Sequence, residues 1–272
     1  MVQHAIHVEN LNKSYDDVLA VKSISFTVKP GETVALLGGN GAGKTTTISM
    51  LLGILLPSSG TIQVLGEDMV KDRFKVMHRL NFSSPYVDLP RRLTVRQNLM
   101  FFSKLYGIIN ARERLMHLAE ELNLLELLNR PTGSLSAGQK TRVSVAKALI
   151  NEPEILLLDE PTASLDPDTA DWVRSYIKEY QKRTSAAILL ASHNMTEVER
   201  ICDNVLMMKY GKIVDQGTPA DLLHRYSRTN LEEVFLDIAR DRKNAPKQKD
   251  TGTSGENIPR KPPHDDLEYG DI

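Results

Sequence analysis

Cysteine is almost absent from this sequence: Cys202 is the single one among 272 residues. An internal disulfide is therefore excluded, and a lone cysteine of this kind is typically a small buried hydrophobic residue. A charge excess is also missing, because 34 Lys and Arg against 35 Asp and Glu leave a formal net charge of −1. This balance argues against a nucleic-acid partner and against a polybasic membrane anchor.

Long apolar runs are missing as well. Thr45 to Gly66 carries no charged side chain, but Pro57-Ser58-Ser59-Gly60 interrupts it. The apolar part is about ten residues long, which is too short to span a bilayer. At the start, Met1-Val2-Gln3-His4 leads into alternating polar residues, so we expect no signal peptide. We therefore expect a soluble, cytoplasmic chain.

The most informative stretch is Gly38 to Thr45, which reads Gly-Gly-Asn-Gly-Ala-Gly-Lys-Thr between an apolar run and a helix-like run. This spacing is typical of a phosphate-binding loop rather than of an ordinary glycine turn. Glycines let backbone N–H groups surround phosphate oxygens, and the helix N-terminus attracts the anion. The sequence thus predicts binding of a nucleoside triphosphate. The predicted contacts come from Gly38, Gly39, Asn40, Gly41, Ala42, Gly43, Lys44, Thr45 and Thr46.

Within this loop, two side chains have distinct predicted roles. Lys44 is expected to reach the β- and γ-phosphates, and the Thr45 hydroxyl to take one position on Mg²⁺. A second candidate site element is a pair of acidic residues, Asp159 and Glu160, directly after the apolar run Ile155 to Leu158. Such a run predicts a central parallel strand, whose carboxyl end is where α/β sheets place ligands. We expect Asp159 to hold Mg²⁺ through water and Glu160 to polarise the attacking water.

Three further positions each allow a structural interpretation and a ligand-binding one. Tyr15 either stacks on an adenine ring or covers a sheet edge. Ser136-x-x-Gln139 is either an ordinary helix capping box or, with Gly138, a second anion site at a helix N-terminus. His193 follows the predicted strand 187–191 and is either a solvated residue or a contact to the γ-phosphate; its place at a strand end favours the contact.

The remaining patterns predict the domain organisation. Residues 6–28 are strand-like, with Ile24 and Phe26 on a buried face. The strand pattern is lost between Lys71 and Pro131, where helices are predicted at 94–106 and 115–128, so we expect an all-helical lobe at about 72–134. Residues 241–272, rich in Pro and charge, predict a disordered tail.

Together these motifs, in this order, resemble the ATP-binding subunits of ABC transporters over about residues 4–240. Leu135 to Gln139 is similar to the family signature, with Ala137 in place of its first glycine. Ile155 to Glu160 is similar to the Walker B strand with its catalytic carboxylate. Ser164-Leu165-Asp166 is similar to the D-loop, which places Asp166 at a dimer contact, and His193 to the switch histidine. Tyr15 stands where the family has its adenine-stacking aromatic.

The resemblance implies a P-loop NTPase of the α/β class, with a RecA-like mixed sheet, an antiparallel N-terminal β part and an inserted helical subdomain. It implies ATP and Mg²⁺ as ligands, with Lys44, Glu160 and His193 as catalytic groups. Ser136, Gly138, Gln139 and Asp166 would act on nucleotide held by a second copy of the chain. Transmembrane permease subunits would be separate chains docked on the helical lobe, at the cytoplasmic face of the membrane. The segment 232–240 resembles ATPases of ABC-2 type exporters.

One element departs from the family pattern. The glutamine expected near residues 81–85 is missing from Asn81-Phe82-Ser83-Ser84-Pro85, so we expect altered coupling rather than loss of nucleotide binding. A GTPase is disfavoured because Asn12-Lys13-Ser14-Tyr15 is not a guanine-reading motif. A soluble member of the same superfamily, acting on ribosomes or DNA, would usually carry two cassettes or long coiled coils; this sequence shows neither, so that alternative is disfavoured as well. A regulatory module that binds ATP without hydrolysing it is disfavoured by Glu160 and His193.

Overall fold

The computed structural model describes residues 4–84, 89–163 and 165–240, and within them the chain forms ten strands and eight α-helices. The predicted tail, 241–272, lies outside the described residues. The strands are β1 Ile6–Tyr15, β2 Val18–Val28, β3 Thr33–Gly38, β4 Ser59–Val64, β5 Glu67–Asp68, β6 Leu80–Ser83, β7 Ile155–Asp159, β8 Ala187–Ser192, β9 Asn204–Lys209 and β10 Lys212–Gly217. The helices are α1 Lys44–Leu51, α2 Val95–Leu105, α3 Ala111–Glu121, α4 Ala137–Ala148, α5 Pro167–Thr184, α6 Met195–Ile201, α7 Pro219–Tyr226 and α8 Leu231–Ala239.

The N-terminal strands form an antiparallel sheet of four strands in the order β2-β1-β4-β5. Its buried face carries Val21, Ile24, Phe26 and Val28 from β2, all at most 6% exposed. The alternation of apolar and polar residues along β2 therefore corresponds to one buried and one solvated face, as predicted.

The second sheet has six strands in the order β10-β9-β3-β8-β7-β6, and every pair is parallel except β10 with β9. All five residues of β7 are buried, because its two faces pack against different cores. Leu156 and Leu158 lie in the cluster formed with helices α2 to α8, whereas Ile155 and Leu157 lie in the cluster shared with the antiparallel sheet and α1. The continuous apolar run thus predicts the strand correctly.

The predicted loss of strand pattern between Lys71 and Pro131 is wrong at β6. Residues Leu80–Ser83 form a short parallel edge strand beside β7, with Ser83 opposite Leu158. Four residues carry too little local signal, and the pairing with β7 decides their conformation. The helices of the lobe begin only at α2, whose capping box at Thr94 and Gln97 confirms the predicted start. The second predicted helix, 115–128, is wrong at both ends, since α3 begins at Ala111 and ends at Glu121, and a single turn, Leu125–Leu127, follows.

A half-buried lysine, Lys147, connects α4 to the edge strand β6. The ammonium of Lys147 donates hydrogen bonds to the Phe82 carbonyl at 2.8 Å and to Asn81 Oδ1 at 3.2 Å. It also lies 5.4 Å from the centre of the Phe102 ring on α2. Burial lowers the pKa of Lys147 from 10.5 to about 8. Lys147 therefore links the sheet to the helical lobe, and the partial burial of its charged ammonium lowers the free energy of unfolding.

We expect this charge to make stability depend on pH. Between the folded pKa of about 8 and the unfolded value of 10.5, the unfolded chain binds more protons, so unfolding free energy rises with pH. From pH 7.5 to 9.5 the wild-type chain should gain about 2 kcal/mol relative to Lys147→Met, measured by urea denaturation. Lys147→Arg stays charged at both pH values and should show no such gain. Parallel pH curves for wild type and Lys147→Met would contradict the prediction.

Among the described residues, no helix combines the length and the apolar character that crossing a bilayer requires. Cys202 is buried and unpaired, as predicted for a small hydrophobic residue.

Candidate active site

The phosphate-binding loop connects the end of β3 to the start of α1. Two of its glycines are required by space: a Cβ on Gly38 would lie 2.5 Å from the Met208 carbonyl oxygen, and one on Gly43 would lie 2.9 Å from that of Ala20. Gly43 also has a φ of +103°. As the N-cap of α1 it offers no side chain, so the first N–H groups of the helix stay available for an anion.

The loop forms one wall of a cavity of about 180 Å³. Its lining contains the predicted loop residues and both acidic residues: Gly39, Asn40, Gly41, Ala42, Gly43, Lys44, Thr45, Thr46, Asp159 and Glu160. Gly38 is the last residue of β3 and directly precedes these loop residues. The sequence therefore predicts correctly which of these residues lie together.

Lys44 is folded back onto its own loop. Its ammonium donates to the carbonyl oxygens of Gly38 at 2.7 Å and Gly39 at 3.3 Å, and the residue is only 8% exposed. Burial lowers the pKa of Lys44, while the negative charges of Glu160 and Asp159 oppose this shift. A phosphate entering the cavity would give this desolvated ammonium an anionic partner.

Asp159, the last residue of β7, faces the loop. The Thr45 hydroxyl donates to its Oδ2 at 3.2 Å, and burial raises the pKa of Asp159, with that hydrogen bond opposing the shift. A hydroxyl and a carboxylate this close fit a Mg²⁺ ion that takes its remaining ligands from phosphate and water. No cluster of three or more His, Cys, Asp or Glu suited to a metal occurs in the part of the chain that the structure describes.

Glu160, which lines the cavity, forms a close pair with His193, which does not line it. Glu160 Oε1 lies 2.7 Å from His193 Nδ1, and the His193 backbone N–H donates to Glu160 Oε2 at 3.4 Å. Glu160 has a φ of +53°, a left-handed conformation that is uncommon for a residue with a side chain. His193 remains largely exposed, whereas the carboxylate is 12% exposed. The pair thus presents a proton acceptor and an imidazole to the same space.

The signature residues lie elsewhere on the surface. Ser136 caps α4 and forms a full capping box with Gln139, whereas the second anion site at this helix N-terminus stays a prediction. Gly138 contacts α5, where a Cβ on it would lie 3.0 Å from Thr169 Oγ1, and Asp166 caps α5 by accepting from the Thr169 N–H. Ser136, Gly138 and Gln139 line a separate groove of about 590 Å³. Within one chain they do not line the cavity of the phosphate loop.

Two other predicted elements, Tyr15 and the segment around Ser84, do not line the cavity of the phosphate loop. Tyr15 ends β1 and is 47% exposed, and it pairs with Val18 on the strand that also contacts Gly43. Its stacking on adenine stays a prediction. Ser84 is buried and follows Ser83, which pairs with Leu158, so the position is level with Asp159. Pro85 and Ser164, named in the predicted loops, lie outside the described residues.

Sequence reasoning missed two parts of the site. Glu197 on α6 is buried behind the Glu160–His193 pair and bonds to Thr162 and Ser192. Phe235 on α8 has its ring 3.9 Å from the place where a Cβ on Gly39 would lie. Both belong to amphipathic helices whose patterns report only which face is buried, so no local signal could identify them.

Comparison with known proteins agrees with this geometry. The family model described as ABC transporter matches residues 21–163. The chain is 36% identical over 232 residues to the Nod factor export ATP-binding protein I of Burkholderia orbicola (strain AU 1054), covering 85% of this chain and 76% of the relative. It is 37% identical over 223 residues to the ABC transporter ATP-binding protein NatA of Bacillus subtilis (strain 168), covering 80% and 90%.

A solved structure extends this to the fold. The protein cbiO1 from Clostridium perfringens, part of the ABC transporter complex cbiONQ, superposes with a TM-score of 0.73 at 34% identity, covering 88% of this chain and 97% of the other. The mixed six-stranded sheet, the antiparallel sheet and the helical lobe are thus those of an ATP-binding cassette. The chain belongs to the ABC transporter family, as an ATP-binding and ATP-hydrolysing subunit.

Proposed function

We propose that the chain hydrolyses ATP at sites shared between two copies of itself and passes the resulting closure to a separate transmembrane partner. The observation that carries this proposal is the separation of two half-sites on one chain. Lys44, Asp159 and Glu160 line the phosphate-loop cavity, whereas Ser136 and Gly138 line a groove of their own. A second copy would bring its groove to the first copy's cavity, in an isologous arrangement that completes two sites at once.

Phosphoryl transfer to water depends mainly on positioning and charge neutralisation. Lys44 would bind the β- and γ-phosphates, and Thr45 and Asp159 would hold Mg²⁺, which neutralises phosphate charge when bound. Glu160 would accept a proton from the attacking water, with His193 at 2.7 Å orienting the carboxylate and contacting the γ-phosphate. The N-terminus of α4, with Ser136 and Gly138, would contact the γ-phosphate from the partner copy.

ATP binding would be coupled to closure of the dimer. A ligand shifts an equilibrium only by its differential affinity for the two states. ATP bridging two half-sites favours the closed dimer, and hydrolysis removes that preference. The chain has no spanning helix among its described residues, so the work would be delivered to a permease subunit at the cytoplasmic face of the membrane. The helical lobe supports this docking, since Phe101, Leu105 and Ile109 are each more than half exposed there.

An exporter is the transporter type that we propose. The relatives above include a protein named for Nod factor export. Helix α8 contains most of the segment 232–240, which resembles ABC-2 exporter ATPases. The alternative, a module that binds ATP without turnover, is disfavoured by the close contact between Glu160 and His193.

Mixing two inactive variants tests the shared site. Lys44→Ala disables the phosphate loop, and Ser136→Asp keeps the helix cap but places a negative charge against the γ-phosphate. Each variant alone should lack ATPase activity. Their mixture should recover about a quarter of the wild-type rate, because about half of the dimers are mixed and each mixed dimer holds one intact site.

The control for this experiment mixes Lys44→Ala with Glu160→Gln, whose defects lie in the same half-site. No mixed dimer then has an intact site, so phosphate release should stay at background. Absence of recovery in the first mixture, or equal recovery in both, would contradict a site shared between copies.

A further inference from the structure

The carboxylate of Glu197 lies behind the proposed hydrolytic pair without touching the nucleotide cavity. The residue is 1% exposed on α6, and within the described part of the chain no ion pair links it to a cation. Burial raises the pKa of Glu197, and hydrogen bonds from Ser192 and Thr162 oppose that shift. A buried carboxylate is unfavourable unless its oxygens are hydrogen-bonded, so these two hydroxyls are part of what keeps it in place.

The two hydroxyls come from the two loops that carry the pair. Thr162 Oγ1 donates to Glu197 Oε1 at 2.8 Å, and Thr162 is two residues beyond Glu160. Ser192 Oγ donates to Glu197 Oε2 at 2.7 Å, and Ser192 immediately precedes His193. Each oxygen of one carboxylate therefore holds one loop. Because Thr162 and Ser192 are at most 8% exposed, water competes little for these bonds.

This link acts on a backbone that needs external restraint. Glu160 adopts a φ of +53°, which a residue with a side chain keeps only when its surroundings enforce it. One restraint is the Glu160 N–H, which donates to the Ala191 carbonyl at 2.8 Å, and another is the Ala163 N–H, which donates to the Glu160 carbonyl at 3.0 Å. The Glu197 link adds a third restraint at Thr162, two residues after Glu160.

We propose that Glu197 is a positioning residue that fixes the distance between Glu160 and His193 by binding both of their loops. This inference rests on the proposed function, in which Glu160 and His193 act on water and on the γ-phosphate. Since a general base must lie within hydrogen-bond reach of its water, a small shift of one loop lowers turnover without weakening nucleotide binding at the phosphate loop.

Thr162→Val is the variant that separates the loops with least disturbance. Valine keeps the shape of threonine but removes the hydroxyl that binds Glu197. In the full chain, kcat for ATP hydrolysis should fall about tenfold or more, while the affinity for ATP stays within about twofold. Thr162→Ser restores the hydroxyl and should restore most of the rate. Combining Thr162→Val with Glu197→Leu, which removes both carboxylate oxygens, should lower kcat little further than Thr162→Val alone, because both changes break the same link.

The matched control is Thr132→Val. Thr132 is 4% exposed and its hydroxyl donates to the Pro90 carbonyl at 2.8 Å, in the helical lobe. Both variants should lower the melting temperature by similar amounts, but only Thr162→Val should lower kcat. A kcat for Thr162→Val within twofold of that for Thr132→Val, or an equal loss with Thr162→Ser, overturns the inference. A wild-type chain without ATPase activity overturns the proposed function itself, which is a different result.

Discussion

Glu160→Gln is expected to lower the steady-state rate of phosphate release about a hundredfold or more, since removing a general base costs roughly 10²–10⁴ in rate. Glutamine has the shape of glutamate and its oxygen still reaches His193, so the fold and the nucleotide cavity should be unchanged. What is lost is the ability to accept a proton from water. Phosphate release should therefore fall while ATP affinity stays within about threefold of the wild-type value.

Two further measurements accompany this prediction. With Mg-ATP the Glu160→Gln chain should elute as a dimer, because closure is favoured and hydrolysis no longer reverses it. Glu154→Gln is the control, since Glu154 precedes the other end of the same strand and pairs with Arg79 at 2.6 Å. Its rate should match that of wild type. A Glu160→Gln chain that hydrolyses ATP at the wild-type rate would remove Glu160 from the mechanism.

Lys44→Ala is expected to weaken ATP binding by about tenfold to a hundredfold, the range for loss of a charge-assisted hydrogen bond. The same change removes an ammonium that burial already disfavours, since the pKa of Lys44 is lowered. The unfolding free energy without nucleotide should therefore stay the same or rise. Lys44→Ala should thus lower the affinity for ATP while leaving the free energy of unfolding unchanged or higher.

The measurement is the rise in melting temperature with added Mg-ATP, which grows with the ratio of ligand concentration to Kd. Wild type should show a clear rise at millimolar ATP and Lys44→Ala a much smaller one. Lys71→Ala, at a lysine whose side chain is 79% exposed, should behave as wild type. An unchanged ATP-dependent rise in Lys44→Ala would show that this ammonium does not reach the phosphates.

The sequence predicts those parts of the site in which a local physical requirement allows only one type of residue at a position. Gly38 and Gly43 stand where a Cβ would meet backbone atoms, and the run Ile155 to Leu158 is apolar throughout because both of its faces are buried. In such places local sequence and final structure agree. The capping box at Ser136 is predictable for the same reason, as far as the start of α4 is concerned.

The parts that the sequence does not predict depend on contacts between distant segments. β6 has four residues and becomes a strand because it pairs with β7, more than 70 residues later. Glu197 resembles any other polar residue near the start of a helix until folding places Thr162 and Ser192 against it. The separation of the signature groove from the phosphate-loop cavity is likewise a property of the folded surface.

The order β3-β8-β7-β6 has a consequence for how the chemistry tolerates change. These four neighbouring strands end, respectively, at the phosphate loop, at Ser192 just before His193, at Asp159 just before Glu160, and at Ser83 just before Ser84. Adjacent parallel strands are held about 4.8 Å apart by main-chain hydrogen bonds, whatever side chains they carry. Main-chain pairing therefore sets the spacing of the strand ends, and side-chain links such as that of Glu197 act only on the residues just beyond them. Apolar exchanges inside these strands that conserve volume should therefore leave the distances between the strand ends unchanged.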